Sequence, residues 1–227
     1  MPEGEFPAEA RDAVYAAIFG RRDVRSFRPG PVPDDTLDRL LTAAHHAPSV
    51  GFMQPWDFVV VRDYGIRKRV EKVFEKARQA EASRYDEPHR SKYLSMKLEG
   101  ILDAPLNLCI TCDPTRGGTQ PVLGRGSIRE TDVYSTCLAV QNLWLAARAE
   151  GIGVGWVSIV SNDGLRGILG IPPHVIPVAY LCVGYPEEGF LDEPMLQKNG
   201  WRDRLSLDPL VHLDRWDDGR GVRSENP

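Results

Sequence analysis

The stretch from Val133 to Ala149 is the most apolar helical pattern in the chain, and it limits the possible folds more than any other segment. Val133, Cys137, Val140, Leu143, Trp144 and Ala147 recur at helical spacing over a wide face. A helix that is apolar over so broad an arc must be enclosed by other elements, so it is expected at the centre of the fold. Gly151 supplies its cap, and Gly153 to Val160 then reads as a strand.

The elements around this helix follow from periodicity and from breakers. A first helix is predicted from Ala8 to Phe19, ending at Gly20, with Val14 and Ile18 on one face. Asp34 or Asp35 opens a second, striped by Leu37, Leu40, Leu41 and Ala44 and stopped by Pro48. Strands are predicted over Asp57–Arg62, Leu106–Thr111 and Val175–Val183. Further helices are predicted around Ile66–Ala77, over His89–Leu102 and over Asn162–Leu169. Helices outnumber strands and do not alternate with them regularly, which favours an α+β class over a doubly wound sheet. One domain over 1–227 is expected, with flexible termini at 1–8 and 216–227 and a tail from Tyr185 that packs as an extended arm.

Composition excludes several roles. A net charge of −4 gives no basic face for a nucleic-acid backbone. No segment approaches the roughly 20 apolar residues of a membrane span. The acidic start lacks a signal pattern, so a cytoplasmic location is expected. Of the four cysteines, Cys109 and Cys112 form a CxxC. They lie inside Leu106–Cys112, which reads as a strand, where residues three apart point to opposite faces, so a buried reduced pair is expected rather than a metal or redox site. Gly151-Ile152-Gly153-Val154-Gly155 sits between a helix and a strand, the wrong order for a dinucleotide fingerprint.

Two segments carry candidate chemistry. Arg21-Arg22-Asp23-Val24-Arg25 places three arginines directly after the first helix, and a guanidinium fork suits phosphate oxygens. Asp23 within it either locks the arginines or accepts a proton from a bound group. Ala47-Pro48-Ser49-Val50-Gly51-Phe52-Met53-Gln54-Pro55-Trp56 mixes hydrogen-bonding groups, small residues and aromatic surface, a combination that fits a heteroaromatic ring with a polar rim.

Arg-Arg-x-x-Arg after a first helix, Ala-Pro-Ser…Gln-Pro-Trp before a first strand, Gly151 to Trp156, and Gly184-Tyr185-Pro186 together resemble the nitroreductase-like flavoproteins over about residues 11 to 205. That resemblance implies a mainly antiparallel sheet flanked by helices, a homodimer, and FMN bound across its interface. Typical members carry a serine where Asp23 stands and often an asparagine where Met53 stands. Arg-Arg-Asp-Val-Arg, Pro48 to Trp56, Lys97 to Ile101, Thr115 to Gly118 and Gly155 to Ile159 are instead similar to the 5,6-dimethylbenzimidazole synthase family.

This closer resemblance implies oxygen-dependent fragmentation of reduced FMN to 5,6-dimethylbenzimidazole and erythrose 4-phosphate. Reduced FMN would be substrate, supplied by a separate flavin reductase, with molecular oxygen as co-substrate and no metal. Asp23 and Ser158 match the residues implied to act catalytically. Arg21, Arg22, Val24, Arg25 and Arg202 or Arg204 would hold the phosphate and ribityl chain, and Leu98 would pack on the flavin. Pro48, Ser49 and Gly51 would approach from the second subunit. The alternatives are an NAD(P)H-dependent FMN reductase or nitroreductase, and a non-catalytic flavin-binding protein.

Overall fold

A computed structural model describes residues 4–216, which fall into two compact units, one ending at Asp192 and one starting at Glu193. In the first unit, α1 (Ala8–Gly20) and α2 (Asp34–His45) precede β1 (Trp56–Val61), α3 (Tyr64–Ala82) and α4 (His89–Ser95). Then come β2 (Leu106–Cys112), α5 (Thr131–Ala149), β3 (Gly153–Trp156), α6 (Asn162–Leu169) and β4 (Ile176–Gly184). Among its described residues, the second unit contains a short helix, α7 (Met195–Lys198), and a 3-10 turn at Asp208–Leu210. The rest of the expected flexible tail, beyond residue 216, and residues 1–3 lie outside the described residues. Among the described residues, no helix is long and apolar enough to cross a membrane.

The four strands form one antiparallel sheet in the order β1-β2-β4-β3. This is the α+β, mainly antiparallel arrangement expected. Both faces of the sheet are covered, and for that reason every residue of β2 is buried. Strand alternation sends Leu108, Ile110, Leu181 and Val183 to one face, where they meet Leu37 and Leu40 of α2 and Val140 and Leu143 of α5. Cys109, Tyr180 and Cys182 point the other way, against Val70 and Phe74 of α3 and Leu165 of α6. The CxxC sulfurs therefore diverge, and burial pushes the Cys109 thiol up to about 12 and that of Cys112 to about 11. Both remain protonated thiols near neutral pH.

Three predicted elements differ, one of them the strand Gly153–Val160, which ends at Trp156. The predicted helix His89–Leu102 stops at Ser95. Its continuation is captured by two arginines of α3: Arg78 takes the carbonyls of Leu94 and Met96, and buried Arg67 takes those of Ile101, Leu102 and Ala104. Met96 is already extended (φ −79°, ψ 139°), and these bonds hold the non-helical path that follows against α3. The first turns of α5 bury Asp132, Ser135 and Thr136 rather than Val133 and Cys137, since polar groups there are paired locally. No residue of α1 is buried among the described residues, and Val14 and Ile18 are exposed.

The segment after α1 adds a further edge to the sheet. Asp23 bridges Val154 in parallel, with the Val24 amide donating to the Val154 carbonyl at 3.0 Å, and Phe27 bridges Pro186. This approach requires glycine in β3: a Cβ on Gly155 would stand 2.1 Å from the Val24 carbonyl oxygen. Gly155→Ala is expected to force that edge away and to lower unfolding free energy by about 1–3 kcal/mol, the usual cost of overpacking. Gly167→Ala, where a Cβ meets nothing within 4 Å, is the control and should be neutral or slightly stabilising. Urea midpoints of the two variants measure the difference.

Candidate functional site

Leaving α1, the chain turns extended at Arg21 (φ −64°, ψ 136°). The carbonyls at the end of a helix lack intrahelical partners, and here side chains collect them. Arg22 Nη1 donates to the carbonyls of Phe19 and Arg21, both at 2.7 Å, and Nη2 donates to that of Asp192. Arg148 Nε donates to the Gly20 carbonyl at 3.0 Å, and Trp144 Nε1 to that of Arg22 at 3.3 Å. The Arg21 guanidinium lies 4.7 Å over the Trp144 ring.

These contacts separate three arginines that look equivalent in the sequence. Both terminal nitrogens of Arg22 face main-chain carbonyls, and Arg21 rests on an indole. Arg25 differs. Its Nη2 pairs with Asp23 Oδ1 at 3.1 Å, while its buried Nε and Nη1 have no hydrogen-bond partner among the described residues; Arg22 keeps one such nitrogen, its Nε. A buried guanidinium with two unanswered donors is costly alone, and it is answered by a ligand that presents acceptor oxygens or nitrogens. FMN presents such atoms in its phosphate, ribityl hydroxyls and ring, so the donor set fits it.

Asp23 is held from two sides. Its Oδ1 accepts from the Trp156 main-chain N–H at 2.9 Å as well as from Arg25. Trp156 ends β3, and Ser158 follows two residues later, exposed, at the rim of a cavity of about 190 Å³ walled by Val160, Leu165, Pro177 and Tyr180. The end of β3 thus bonds to Asp23 through Trp156 and runs on to Ser158. Beside it, Leu98 is half-buried against the cluster that contains Val24 and Phe27, and Lys97 Nζ donates to Ser26 Oγ at 3.0 Å. The neighbouring Glu99 carboxyl is raised by burial, opposed by a hydrogen bond from the Ile101 amide.

Pro48, Ser49 and Gly51 form a second group. Ser49 Oγ accepts from the Gln54 amide, and the Val50 amide donates to Ser135 Oγ, each at 3.0 Å. The turn is strained: Gly51, Phe52 and Gln54 have φ of 52°, 54° and 51°, a region that side chains other than glycine adopt rarely. Val122 and Leu123 press on Gly51 so closely that a Cβ there would meet them at 2.6 and 2.8 Å. The long loop after β2, whose contacts could not be read from the sequence, covers this turn. The same loop is pinned at its base by Arg125 on buried Asp132, with Nε at 3.0 Å and Nη2 at 2.6 Å from one carboxylate oxygen.

Residue spacing on α5 shows that the two groups are apart within one chain. Ser135 holds the turn at Val50, and Trp144 holds the loop at Arg22. Nine residues of helix separate them, roughly 13 Å along the axis. Arg202 and Arg204 belong to the second compact unit, where both are exposed. Sequence reasoning missed Trp144, Arg148 and Trp156 as parts of the site. The two tryptophans read as core and Arg148 as a solvated end of its helix, and nothing in the spacing reveals that their N–H groups serve a loop more than a hundred residues away.

Known proteins agree with this architecture. The 5,6-dimethylbenzimidazole synthase of Rhodospirillum rubrum is 40% identical over 199 residues, spanning 88% of this chain and 93% of the relative. That of Rhodobacter capsulatus is 40% identical over 203 residues, covering 88% and 96%. Among solved structures, iodotyrosine deiodinase bound to FMN and 3-iodo-L-tyrosine superposes with a TM-score of 0.70 at 20% identity, covering 89% of this chain and 100% of that one. Nitroreductase A from Vibrio parahaemolyticus gives a TM-score of 0.68 at 18% identity, covering 91% and 77%. At such identities the structures establish the fold alone, and the resemblance to the synthases rests on the sequence relatives. The model of the nitroreductase family matches residues 18–185, which include the arginine loop, the strained turn and all four strands, and the chain belongs to that family.

Proposed function

We propose that this protein fragments reduced FMN with molecular oxygen, releasing 5,6-dimethylbenzimidazole, the cobalamin lower ligand, and erythrose 4-phosphate. The observation that carries the reading is the pairing of Asp23 with Arg25: the aspartate is fixed by two donors, and its partner guanidinium keeps two buried nitrogens for a ligand. Similarity to the synthases of Rhodospirillum and Rhodobacter supports the same reaction.

Bound reduced FMN supplies the electrons that activate oxygen, so the reaction calls on no metal. The protein's own groups bind, orient and move protons. Arg25 and Arg21 hold the acceptor atoms of the phosphate and ribityl chain, with Arg22, Val24 and Arg202 or Arg204 completing that wall. Both donors to Asp23 fall on Oδ1, which leaves Oδ2 to accept a proton at the ribityl C1′ side. Ser158 donates a hydrogen bond near flavin N5, Leu98 packs on the ring, and enclosure keeps bulk water away. A separate reductase in the cytoplasm supplies reduced FMN.

The reading uses the whole chain as one domain and two copies of it. Pro48, Ser49 and Gly51 reach the flavin held by the other copy, which answers their separation from the arginine loop. Exposed Tyr15 and Phe19 of α1 and Tyr134 and Leu138 of α5 supply apolar surface for the contact. The tail, with Leu205, Leu207 and Trp216 exposed, suits an arm laid on the partner.

Reduced FMN mixed with the protein in air should give 5,6-dimethylbenzimidazole by chromatography and mass spectrometry, and none should form under nitrogen. Fast NADH oxidation with a nitroaromatic and no benzimidazole would instead assign a reductase. Asp23→Asn and Ser158→Gly should each lower product formation by at least a hundredfold, in the range expected for general acid–base groups, with flavin affinity within about threefold of the parent. Loss of product in proportion to lost flavin would make Asp23 structural. Sedimentation equilibrium should return twice the chain mass; a monomer at all concentrations would remove Ser49 and Gly51 from the site.

A further inference from the structure

We infer that Trp144 is a positioning residue that sets the arginine loop and Asp23 together. A tryptophan that is 7% exposed on the central helix would ordinarily be counted as core. A buried indole N–H nevertheless needs an acceptor, and Trp144 finds it in the Arg22 carbonyl at 3.3 Å. That carbonyl lies just beyond the end of α1, where no ladder continues to receive it. The face of the same ring carries the Arg21 guanidinium at 4.7 Å. Its edge meets Trp156, with centroids 6.5 Å apart at 47°, and the Trp156 main-chain N–H is the donor that fixes Asp23.

One side chain therefore touches Arg21, Arg22 and the residue that holds Asp23. Arg148, four positions later on α5, adds a second anchor through the Gly20 carbonyl and is braced by Phe190 at 4.2 Å. Packing alone does not account for this arrangement. Leucine or phenylalanine would fill much of the space, but neither can donate to a carbonyl. The helix exit would then be free to turn away from β3, and the loop would lose its registration on Val154. The consequence for flavin rests on the function proposed above, whereas the ordering of residues 20–25 does not.

The test uses Trp144→Leu and Trp144→Phe in the full chain. Hydrogen exchange is followed without flavin, and FMN affinity is measured by flavin fluorescence. In Trp144→Leu the amides of Val24 and Trp156 should exchange at least on the order of tenfold faster than in the parent, the size of one side-chain-to-carbonyl hydrogen bond plus a cation–π contact. Amides in the β2–β4 ladder should change far less. FMN should bind about tenfold more weakly, and Trp144→Phe, which keeps the ring and loses the N–H, should fall between. If the leucine variant does not fold, the phenylalanine variant alone decides through the same two amides. Unchanged exchange at Val24 and Trp156, or acceleration only in step with the β2–β4 ladder, would overturn the assignment. So would parental FMN affinity in a variant with a loosened loop. Selective loosening in a protein whose parent binds no FMN would keep Trp144 as the organiser of the loop and remove the flavin reading instead.

Discussion

Everything at the candidate site depends on the contact between Val24 and β3. The Val24 amide bonds to the Val154 carbonyl, and the Val24 carbonyl occupies space that any side chain on Gly155 would fill. This pairing fixes the register of the arginine loop on the sheet. It puts Asp23 opposite Val154, so that its carboxylate meets the Trp156 amide, and it turns Arg25 back on Asp23. Register in a strand is all or nothing, because a slip of one residue reverses every side chain. A loop docked in this way is far more accurate than its charged composition suggests.

The electrostatics follow from the docking. An aspartate among arginines would normally serve only to balance charge, but here a neutral main-chain donor shares the same oxygen. Arg25 is left with donors that the protein does not satisfy. Buried polar groups in folded proteins are nearly always paired, so two open donors on one guanidinium beside a fixed carboxylate are notable. The three arginines therefore differ: Arg22 ties down the exit of α1, Arg21 lies on an aromatic face, and part-buried Arg25 keeps two donors open.

Much of the architecture was legible in the sequence, for identifiable reasons. Helical stripes located α2 and α5, the Asn162–Leu169 helix was bounded as predicted, and the strand reading of Leu106–Thr111 placed the two CxxC sulfurs on opposite faces. Failures occurred where a distant partner overrode local pattern. The predicted helix from His89 lost its second half to Arg67 and Arg78, which reach across from α3. Val14 and Ile18 share one face of α1 as the spacing indicates, and that face is exposed among the described residues. The first turns of α5 bury polar residues because Arg125 and the Val50 amide pair with them.

The candidate site was legible in its residue types and less so in their division of labour. Arg21 to Arg25 and Ser49 to Gly51 stood out as segments, but only the coordinates separate Arg25 from its neighbours and Gly51 from Asp23. The central claim is that Arg25 holds a flavin by its sugar-phosphate arm and so brings the ribityl C1′ within reach of Asp23. The most direct measurement is a crystal structure of the protein soaked with FMN. The account predicts flavin acceptor atoms on Arg25 Nε and Nη1, with Asp23 Oδ2 within reach of the ribityl C1′. Flavin bound elsewhere, with Arg25 turned to solvent, would contradict it.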